Sequence, residues 1–187
     1  KLAKQYHKDA GNTEKHIVIG RWQSYHGNTL GSLSAGGDIK RRQLYTQNLL
    51  DFKHVYSPNC IRCPYQRKLD ECNQEQNWSC VKDIEKLIIE VGPEQISSFI
   101  AEPIVGSQLG SVSPPNEYFK KVRELCDKYN IILIVDEVMT GFGRTGTHFA
   151  IEHFDFIPDI ITFGKGVSAG YSPLGGMIVH DKVIAGL

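Results

Sequence analysis

The sequence of 187 residues lacks an excess of charge of either sign, because 21 Lys and Arg residues balance 21 Asp and Glu residues. This balance gives no reason to expect nucleic acid or an anionic membrane surface as a partner. The sequence also lacks an apolar run long enough to span a bilayer. Its longest clear run, residues 131–135, has the length of a strand. We therefore expect neither a nucleic-acid nor a membrane partner.

Residues 1–8 are polar and basic and lack the apolar segment of a secretory signal peptide. The five cysteines are an odd number, which favours a reducing, intracellular compartment over a disulfide framework. We expect the cytoplasm, with the mitochondrial matrix left open. The chain does not begin with Met, and residues 1–7 resemble the end of a helix. We therefore expect a fragment of a longer protein.

The periodicity of the sequence predicts an α/β domain. Short β-rich or apolar runs predict strands, and amphipathic spacing predicts helices at residues 81–91 and 115–129. The predicted strands are residues 16–20, 98–101, 131–135, 159–163 and 176–179. The alternation of strands and helices favours a mixed, mainly parallel sheet between helices. Residues 36–80 show little periodicity, and we interpret them as a long loop or a family-specific excursion.

Three chemically active side chains follow predicted strands. Glu102, Asp136 and Lys165 come at or just after the strands that end near residues 101, 135 and 163. In open α/β sheets, ligands bind beyond the carboxyl ends of the strands. If these strands are neighbours, two carboxylates and an amine face one crevice. Buried carboxylates require a compensating partner, so a cationic or polar ligand is expected there.

A lysine and an aspartate at one crevice suggest pyridoxal phosphate (PLP). The aldehyde of PLP turns a lysine amine into a Schiff base, and a carboxylate keeps the ring nitrogen protonated. Lys165 and Asp136 match those roles, and Tyr25 offers an aromatic ring to stack on the pyridine. Each residue alone is more often structural: an exposed lysine, a capping aspartate, or a tyrosine packed at a turn. Their joint occurrence favours the cofactor site.

Four stretches of the sequence resemble the class III (ornithine/4-aminobutyrate/ω-amino acid) aminotransferases of PLP fold type I. They are YHGNTLGSLSAGG (25–37), AEPIVGS (101–107), IVDEVMTGFGRTG (134–146) and PDIITFGKGVSAGYSPLGG (158–176). The resemblance covers nearly the whole chain except about residues 50–80. It implies PLP as cofactor and a large PLP-binding domain of which residues 1–187 are an incomplete part. Residues 50–80 are expected to be a cysteine-containing excursion within that domain.

The resemblance implies two catalytic residues. Lys165 is expected to form the Schiff base and, once released, to move a proton between the substrate carbon and the cofactor. Asp136 is expected to pair with the pyridine nitrogen. The implied reaction is transamination between an amine or ω-amino acid and a 2-oxo acid such as pyruvate.

The other implied cofactor contacts surround the ring. Val138 and Tyr25 are expected to pack on its two faces, and Glu102 to support the site from behind. His26 and Gly27 are expected to line the same wall.

Two positions depart from the family pattern. Met139 stands where many members have a glutamine that bonds the phenolic oxygen of the cofactor. Ser107 stands where the ornithine and 4-aminobutyrate enzymes carry a second glutamate, which argues against both of those activities.

The resemblance also implies parts of the protein outside this chain. The phosphate-binding loop is expected before residue 1, and the small C-terminal domain after residue 187. The family forms dimers with active sites at the subunit interface, so we expect a homodimer, with the loop around Arg144 near that interface. We expect the 187-residue chain alone to show little or no transamination.

Alternative functions remain open at this stage. An aminomutase, racemase or decarboxylase of the same fold shares the site, and a truncated, non-catalytic subunit is a further alternative. We assign no metal site. Cys60, Cys63, Cys72 and Cys80 are interpreted as reduced cysteines of a surface excursion, although zinc stays an alternative because Cys60 and Cys63 form one half-site. Cys126 is expected on the core face of a helix.

Overall fold

The computed structural model describes residues 1–187 and contains a single six-stranded sheet. Its strands are β1 (Ile17–Arg21), β2 (Lys53–Val55), β3 (Ile96–Ala101), β4 (Ile132–Asp136), β5 (Ile160–Phe163) and β6 (Gly176–Val179). Neighbouring strands follow the order β2-β1-β3-β4-β5-β6. All pairs are parallel except β5 with β6, which is antiparallel. This mixed, mainly parallel sheet confirms the predicted fold class.

Seven α-helices accompany the sheet. They are α1 (Leu2–Asp9), α2 (Leu30–Ala35), α3 (Ile39–Arg42), α4 (Leu69–Gln74), α5 (Ser79–Val91), α6 (Tyr118–Lys128) and α7 (Asp181–Ile184). Short 3-10 helices occupy Gln43–Asn48, Pro93–Gln95, Ala150–His153 and Lys165–Val167. The predicted helices at residues 81–91 and 115–129 are confirmed as α5 and α6. None of the helices combines the length and hydropathy needed to cross a bilayer.

Apolar layers cover both faces of β4. Leu133 and Val135 join the larger core cluster, which also contains Phe119 of α6. Ile132 points to the opposite side and joins a smaller cluster with Val183 of α7. Successive side chains of a strand alternate between its two faces, so a strand covered on both faces is apolar at every position. This packing explains the uninterrupted apolar run at residues 131–135.

The interpretation of residues 36–80 as a long loop is wrong in part. The segment contains α3, the 3-10 helix Gln43–Asn48, the edge strand β2 and α4. β2 has three residues, and only Val55 among them is fully buried, so no period-two pattern marks it in the sequence. It pairs with β1 in parallel, with His54 opposite Gly20. A strand this short forms because β1 offers an unpaired edge.

The cysteines are all free thiols. Cys126 is buried in α6, as predicted, and belongs to the main core. The other four cysteines are only partly buried.

Candidate active site

The strands that carry the predicted site residues are direct neighbours. Ala101 of β3 pairs with Val135 of β4, and Asp136 pairs with Thr162 of β5. Because these strands are parallel, their carboxyl ends lie side by side at one edge of the sheet. The structure therefore places Glu102, Asp136 and the turn that bears Lys165 along that edge, as the sequence predicted.

Glu102 is held by a buried arginine at the end of β1. The Nη2 atom of Arg21 lies 3.2 Å from Oε2 of Glu102 and donates to its backbone oxygen at 2.6 Å. The other carboxylate oxygen accepts from the backbone N–H of Tyr25 at 2.9 Å. The arginine side chain is fully buried. A buried carboxylate becomes tolerable when a cation and an N–H group occupy its oxygens, as they do here.

His26 lies between two carboxylates. Its Nδ1 atom is 2.8 Å from Oδ2 of Asp136, and its Nε2 atom is 4.0 Å from Oε2 of Glu102. Burial alone lowers the pKa of His26, but the charges of Glu102 and Asp136 outweigh it and raise the pKa above its ordinary value. A protonated His26 completes a buried row of alternating charges, formed by Arg21, Glu102, His26 and Asp136.

Asp136 is oriented through both of its oxygens. Oδ2 faces the His26 ring, and Oδ1 accepts from the backbone N–H of Val138 at 3.0 Å. An ionised carboxylate has about four lone-pair positions, so each oxygen retains acceptor capacity. Asp136 can therefore take a further N–H donor from a ligand without losing its existing partners.

The tip of β4 and the lysine turn are packed together. A Cβ atom built on Gly164 would lie 3.5 Å from Cγ1 of Val138. Gly164 directly precedes Lys165, and Val138 donates its N–H to Asp136. Val138 therefore lies beside the amine-bearing turn, and its N–H holds the carboxylate.

Lys165 has an unusual backbone conformation. Its φ angle is 43°, in the left-handed region that residues other than glycine rarely adopt. The side chain is exposed at the start of the 3-10 helix Lys165–Val167. Eight other non-glycine residues of the chain also have positive φ angles, so this conformation shapes the turn but does not by itself mark a functional site.

Tyr25 and Gly27 belong to the loop between β1 and α2. The guanidinium carbon of Arg41 lies 4.8 Å from the centroid of the Tyr25 ring, so one face of that ring is covered. Gly27 has a φ angle of 126°, and a Cβ there would approach Cβ of Ser32 to 3.1 Å. Gly27 therefore lies against the start of α2, and its positive φ angle turns the chain after His26.

Sequence reasoning missed two buried residues. Arg21 was not singled out, although a cation at the end of a β-rich apolar run signals a buried acidic partner. Glu137 is fully buried and accepts from the backbone N–H of Ile151 at 2.8 Å and from the Thr140 hydroxyl. It ties the loop that follows β4 to the 3-10 helix Ala150–His153.

The arrangement offers three chemical functions at one edge of the sheet. It presents a buried anion with spare acceptor capacity at Asp136 and a primary amine at Lys165. The imidazole of His26 lies 2.8 Å from Asp136 and helps to hold that carboxylate in one orientation. A ligand with a protonated ring nitrogen and a carbonyl carbon matches this set.

Comparison with known proteins identifies the family. The family profile described as Aminotransferase class-III matches residues 1–187. A putrescine–pyruvate aminotransferase of Pseudomonas aeruginosa is 37% identical over 184 residues, covering 98% of this chain and 39% of that protein. A taurine–pyruvate aminotransferase of Bilophila wadsworthia is 36% identical over 183 residues, covering 98% of this chain and 39% of that protein.

A solved structure shares the fold. The ω-transaminase of Pseudomonas jessenii, in complex with PMP, superimposes with a TM-score of 0.90 and 32% sequence identity. The match covers 99% of this chain and 40% of that structure. The chain thus spans about two fifths of the length of the relatives it matches. The chain belongs to the class III aminotransferase family.

Proposed function

We propose that the protein containing this chain transfers an amino group between an amine or ω-amino acid and a 2-oxo acid, with PLP as cofactor. Class III aminotransferases are PLP-dependent in general, and a structural neighbour of this chain binds PMP. The observation that carries the proposal is the buried Asp136 carboxylate. It is fixed by His26 at 2.8 Å and lies two residues before Val138, which packs against the lysine turn.

The residues present fit both the polar and the apolar parts of the cofactor ring. Asp136 would accept a hydrogen bond from the protonated ring nitrogen, and His26 at 2.8 Å holds its carboxylate in place for that contact. Val138 supplies an apolar surface beside Gly164. Tyr25 uses the ring face opposite Arg41 for stacking.

Lys165 supplies the amine that holds the cofactor and later moves the proton. When bound, PLP provides an aldehyde that captures amino groups and a protonated ring that withdraws electrons. Lys165 would hold the cofactor through its amine, at the aldehyde carbon and with loss of water, and the same amine would move the proton at the substrate carbon once the substrate amine has taken its place. The turn that follows β5 places this lysine at the edge of the sheet next to Asp136's strand.

We propose amines without a carboxylate on the reacting carbon as donors and pyruvate as acceptor. Putrescine and taurine, which appear in the names of two relatives, are both primary amines of this kind. Met139 is 48% exposed, and a Cβ on Gly106 would approach its sulfur to 2.8 Å. Ser107, which follows Gly106, is neutral and exposed, so no acidic side chain stands at that position.

The rest of the protein completes the site in this proposal. Residues 1–187 are the central part of the PLP-binding large domain, with residues 50–80 as an excursion within it. A homodimer covers the open edge near Lys165, where residues 169–178 are exposed.

The full-length protein tests the proposal. We expect an absorbance band of lysine-bound cofactor that borohydride abolishes. Peptide mapping should then find the reduced cofactor as a covalent label on Lys165. Alanine should form from pyruvate with putrescine or taurine. Lys165→Ala should lose transamination by at least about 10²–10⁴-fold. Lys120→Ala, which removes an exposed lysine on α6, is the matched control and should retain both signals. A label on another lysine, or no cofactor binding, would overturn the proposal.

A further inference from the structure

The buried row of Arg21, Glu102, His26 and Asp136 contains an imidazole nitrogen that makes no hydrogen bond. His26 Nδ1 lies 2.8 Å from Oδ2 of Asp136, whereas His26 Nε2 is buried and has no hydrogen-bond partner. Nε2 lies 4.0 Å from Oε2 of Glu102, which is beyond hydrogen-bond range. The His26 side chain is therefore hydrogen-bonded to Asp136 alone, although two carboxylates lie beside it.

Arg21 accounts for the position of the Glu102 carboxylate. Its Nη2 atom lies 3.2 Å from Oε2 of Glu102, which is the same oxygen that faces His26 Nε2. The same Nη2 atom donates to the Glu102 backbone oxygen at 2.6 Å. The second carboxylate oxygen accepts the N–H of Tyr25 at 2.9 Å. Both oxygens of Glu102 are thus held by groups other than His26.

Stability alone does not account for an arginine at this position. The Arg21 side chain is fully buried, and its Nε and Nη1 atoms have no hydrogen-bond partner among the protein groups. Unpaired buried N–H donors cost free energy, and apolar side chains often stabilise a fold at least as well as a buried ion pair. Departures of this kind from the best packing are expected near functional sites.

We propose that Arg21 is a positioning residue for the reaction, because by holding Glu102 it leaves the His26 ring to bond Asp136. The inference rests on the proposed function, in which Asp136 accepts from the ring nitrogen of the cofactor. Arg21 acts through Glu102 and His26, since neither a hydrogen bond nor an ion pair joins it to Asp136.

Loss of Arg21 frees Oε2 of Glu102 to bond His26 Nε2. A movement of about 1 Å closes the gap between these two atoms to a hydrogen bond. An imidazole ring drawn toward Glu102 holds Asp136 less firmly, and displacements of about 1 Å at an active site are costly for catalysis.

The charges around His26 predict opposite effects for two variants. Burial lowers the pKa of His26, the charges of Glu102 and Asp136 raise it, and the charge of Arg21 lowers it. His54 of β2 also senses His26, but burial lowers the pKa of His54 to about 4, so it is neutral near neutral pH. Arg21→Met should therefore raise the pKa of His26 further, and Glu102→Gln should lower it.

NMR titration of the full-length protein with labelled histidine measures these two shifts. The signal of His26 is identified by its absence from His26→Gln. Arg21→Lys keeps a cation beside Glu102 and should titrate like the wild type. Arg21→Gln, which is neutral but polar, replaces Arg21→Met if that variant does not fold. A His26 titration that is unchanged in the neutral Arg21 variant, or that moves to lower pH, would overturn the inference.

Binding of PLP to the full-length protein tests whether Arg21 acts through His26. We expect Arg21→Met to bind PLP at least about fivefold more weakly than the wild type, and Arg21→Lys to stay within about twofold. The double variant Arg21→Met with His26→Gln should bind within about twofold of His26→Gln alone. Losses of affinity that multiply in the double variant would show that Arg21 acts independently of His26, and would overturn the inference.

Arg123→Met is the matched control for the loss of a buried ion pair. Arg123 pairs with Asp159 at 2.7 Å, and Asp159 precedes β5 at the end of that strand opposite Lys165. This variant should lose stability but keep the PLP affinity of the wild type. An equal loss of PLP affinity in Arg123→Met and Arg21→Met would reduce Arg21 to a structural role. A wild type that does not bind PLP would instead overturn the proposed function, and the histidine titration would still decide whether Arg21 acts on His26.

Discussion

His26 Nδ1 lies 2.8 Å from Oδ2 of Asp136, and the two side chains are only 2% and 8% exposed. Asp136 also accepts the N–H of Val138, so its carboxylate has one fixed orientation. The imidazole ring separates Asp136 from Glu102, which keeps two buried negative charges apart. His26 therefore lies between the two acids, and their charges raise its own pKa.

The first prediction concerns the pH dependence of stability that His26 confers. Its pKa is raised in the folded state, so the folded protein binds this proton more tightly than the unfolded chain. The stabilisation is fully present below about pH 6.5 and is lost as the pH rises through the folded pKa. We expect the difference in free energy of unfolding between the wild type and His26→Gln to shrink above that pH. Chemical denaturation across the range measures it.

His148 provides the control for this experiment. Its side chain is 96% exposed and lies 4.0 Å from Glu152. His148→Gln should follow the wild-type profile, because an exposed pair contributes little. A constant difference between the wild type and His26→Gln at all pH values would contradict the assignment of a proton to His26.

The second prediction concerns the buried pair of Arg21 and Glu102. Arg21→Met leaves the Glu102 carboxylate without its cation, and we expect a loss of about 3–5 kcal/mol in the free energy of unfolding. The double variant Arg21→Met with Glu102→Gln removes the stranded charge while an amide oxygen still accepts from Tyr25. It should be more stable than Arg21→Met alone.

A surface ion pair calibrates that result. Lys121 pairs with Glu124 at 3.0 Å on α6, and both side chains are substantially exposed. Lys121→Met should change stability by about 0–1 kcal/mol. An equal loss of unfolding free energy in Arg21→Met and in the double variant would show that lost packing, rather than the unpaired Glu102 charge, destabilises the protein.

Part of the site could be predicted from the sequence because β4 is covered on both faces. A covered strand gives a continuous apolar run, and Asp136 follows directly after the run at 131–135. β5 is only partly buried, and Lys165 after it stands out through the motif that follows rather than through an apolar run. The shared crevice depended on these strands being neighbours, and the structure places β3, β4 and β5 side by side in their sequence order.

The partners of those residues could not be read from sequence in the same way. Arg21 and Glu102 are 81 residues apart, and only the pairing of β1 with β3 brings them together. The edge strand β2 was missed because a three-residue strand carries no periodic signal. Its existence depends on the free edge of β1, which is a property of the assembled sheet.

The third prediction concerns acid sensitivity at His54. Burial, and then the charge of Arg42, lowers the pKa of His54 to about 4. The unfolded chain therefore binds this proton more tightly, and stability falls as the pH drops from about 6.5 towards 4. We expect His54 to account for a loss of about 3 kcal/mol over that interval.

The variant His54→Phe isolates this contribution. A phenyl ring retains the stacking on Trp22, where the ring centroids are 4.5 Å apart. The variant loses the contact of Nε2 with the backbone oxygen of Gly36, so it should be less stable at neutral pH. Its stability should nevertheless fall less steeply with acid than that of the wild type. Parallel acid profiles for the two proteins would rule out His54 as the titrating group.

The fourth prediction compares two adjacent isoleucines on α5. Ile88 is 2% exposed and belongs to the main core, whereas Ile89 is 61% exposed on the same helix. Ile88→Ala removes buried methyl groups and leaves a cavity, so we expect a loss of about 2–5 kcal/mol in the free energy of unfolding. Ile89→Ala has the same change in helix propensity but loses little packing, and should stay within about 0.5 kcal/mol of the wild type. Denaturant titration of the full-length protein distinguishes them. Similar losses for both variants would mean that the outer face of α5 is covered by another part of the protein.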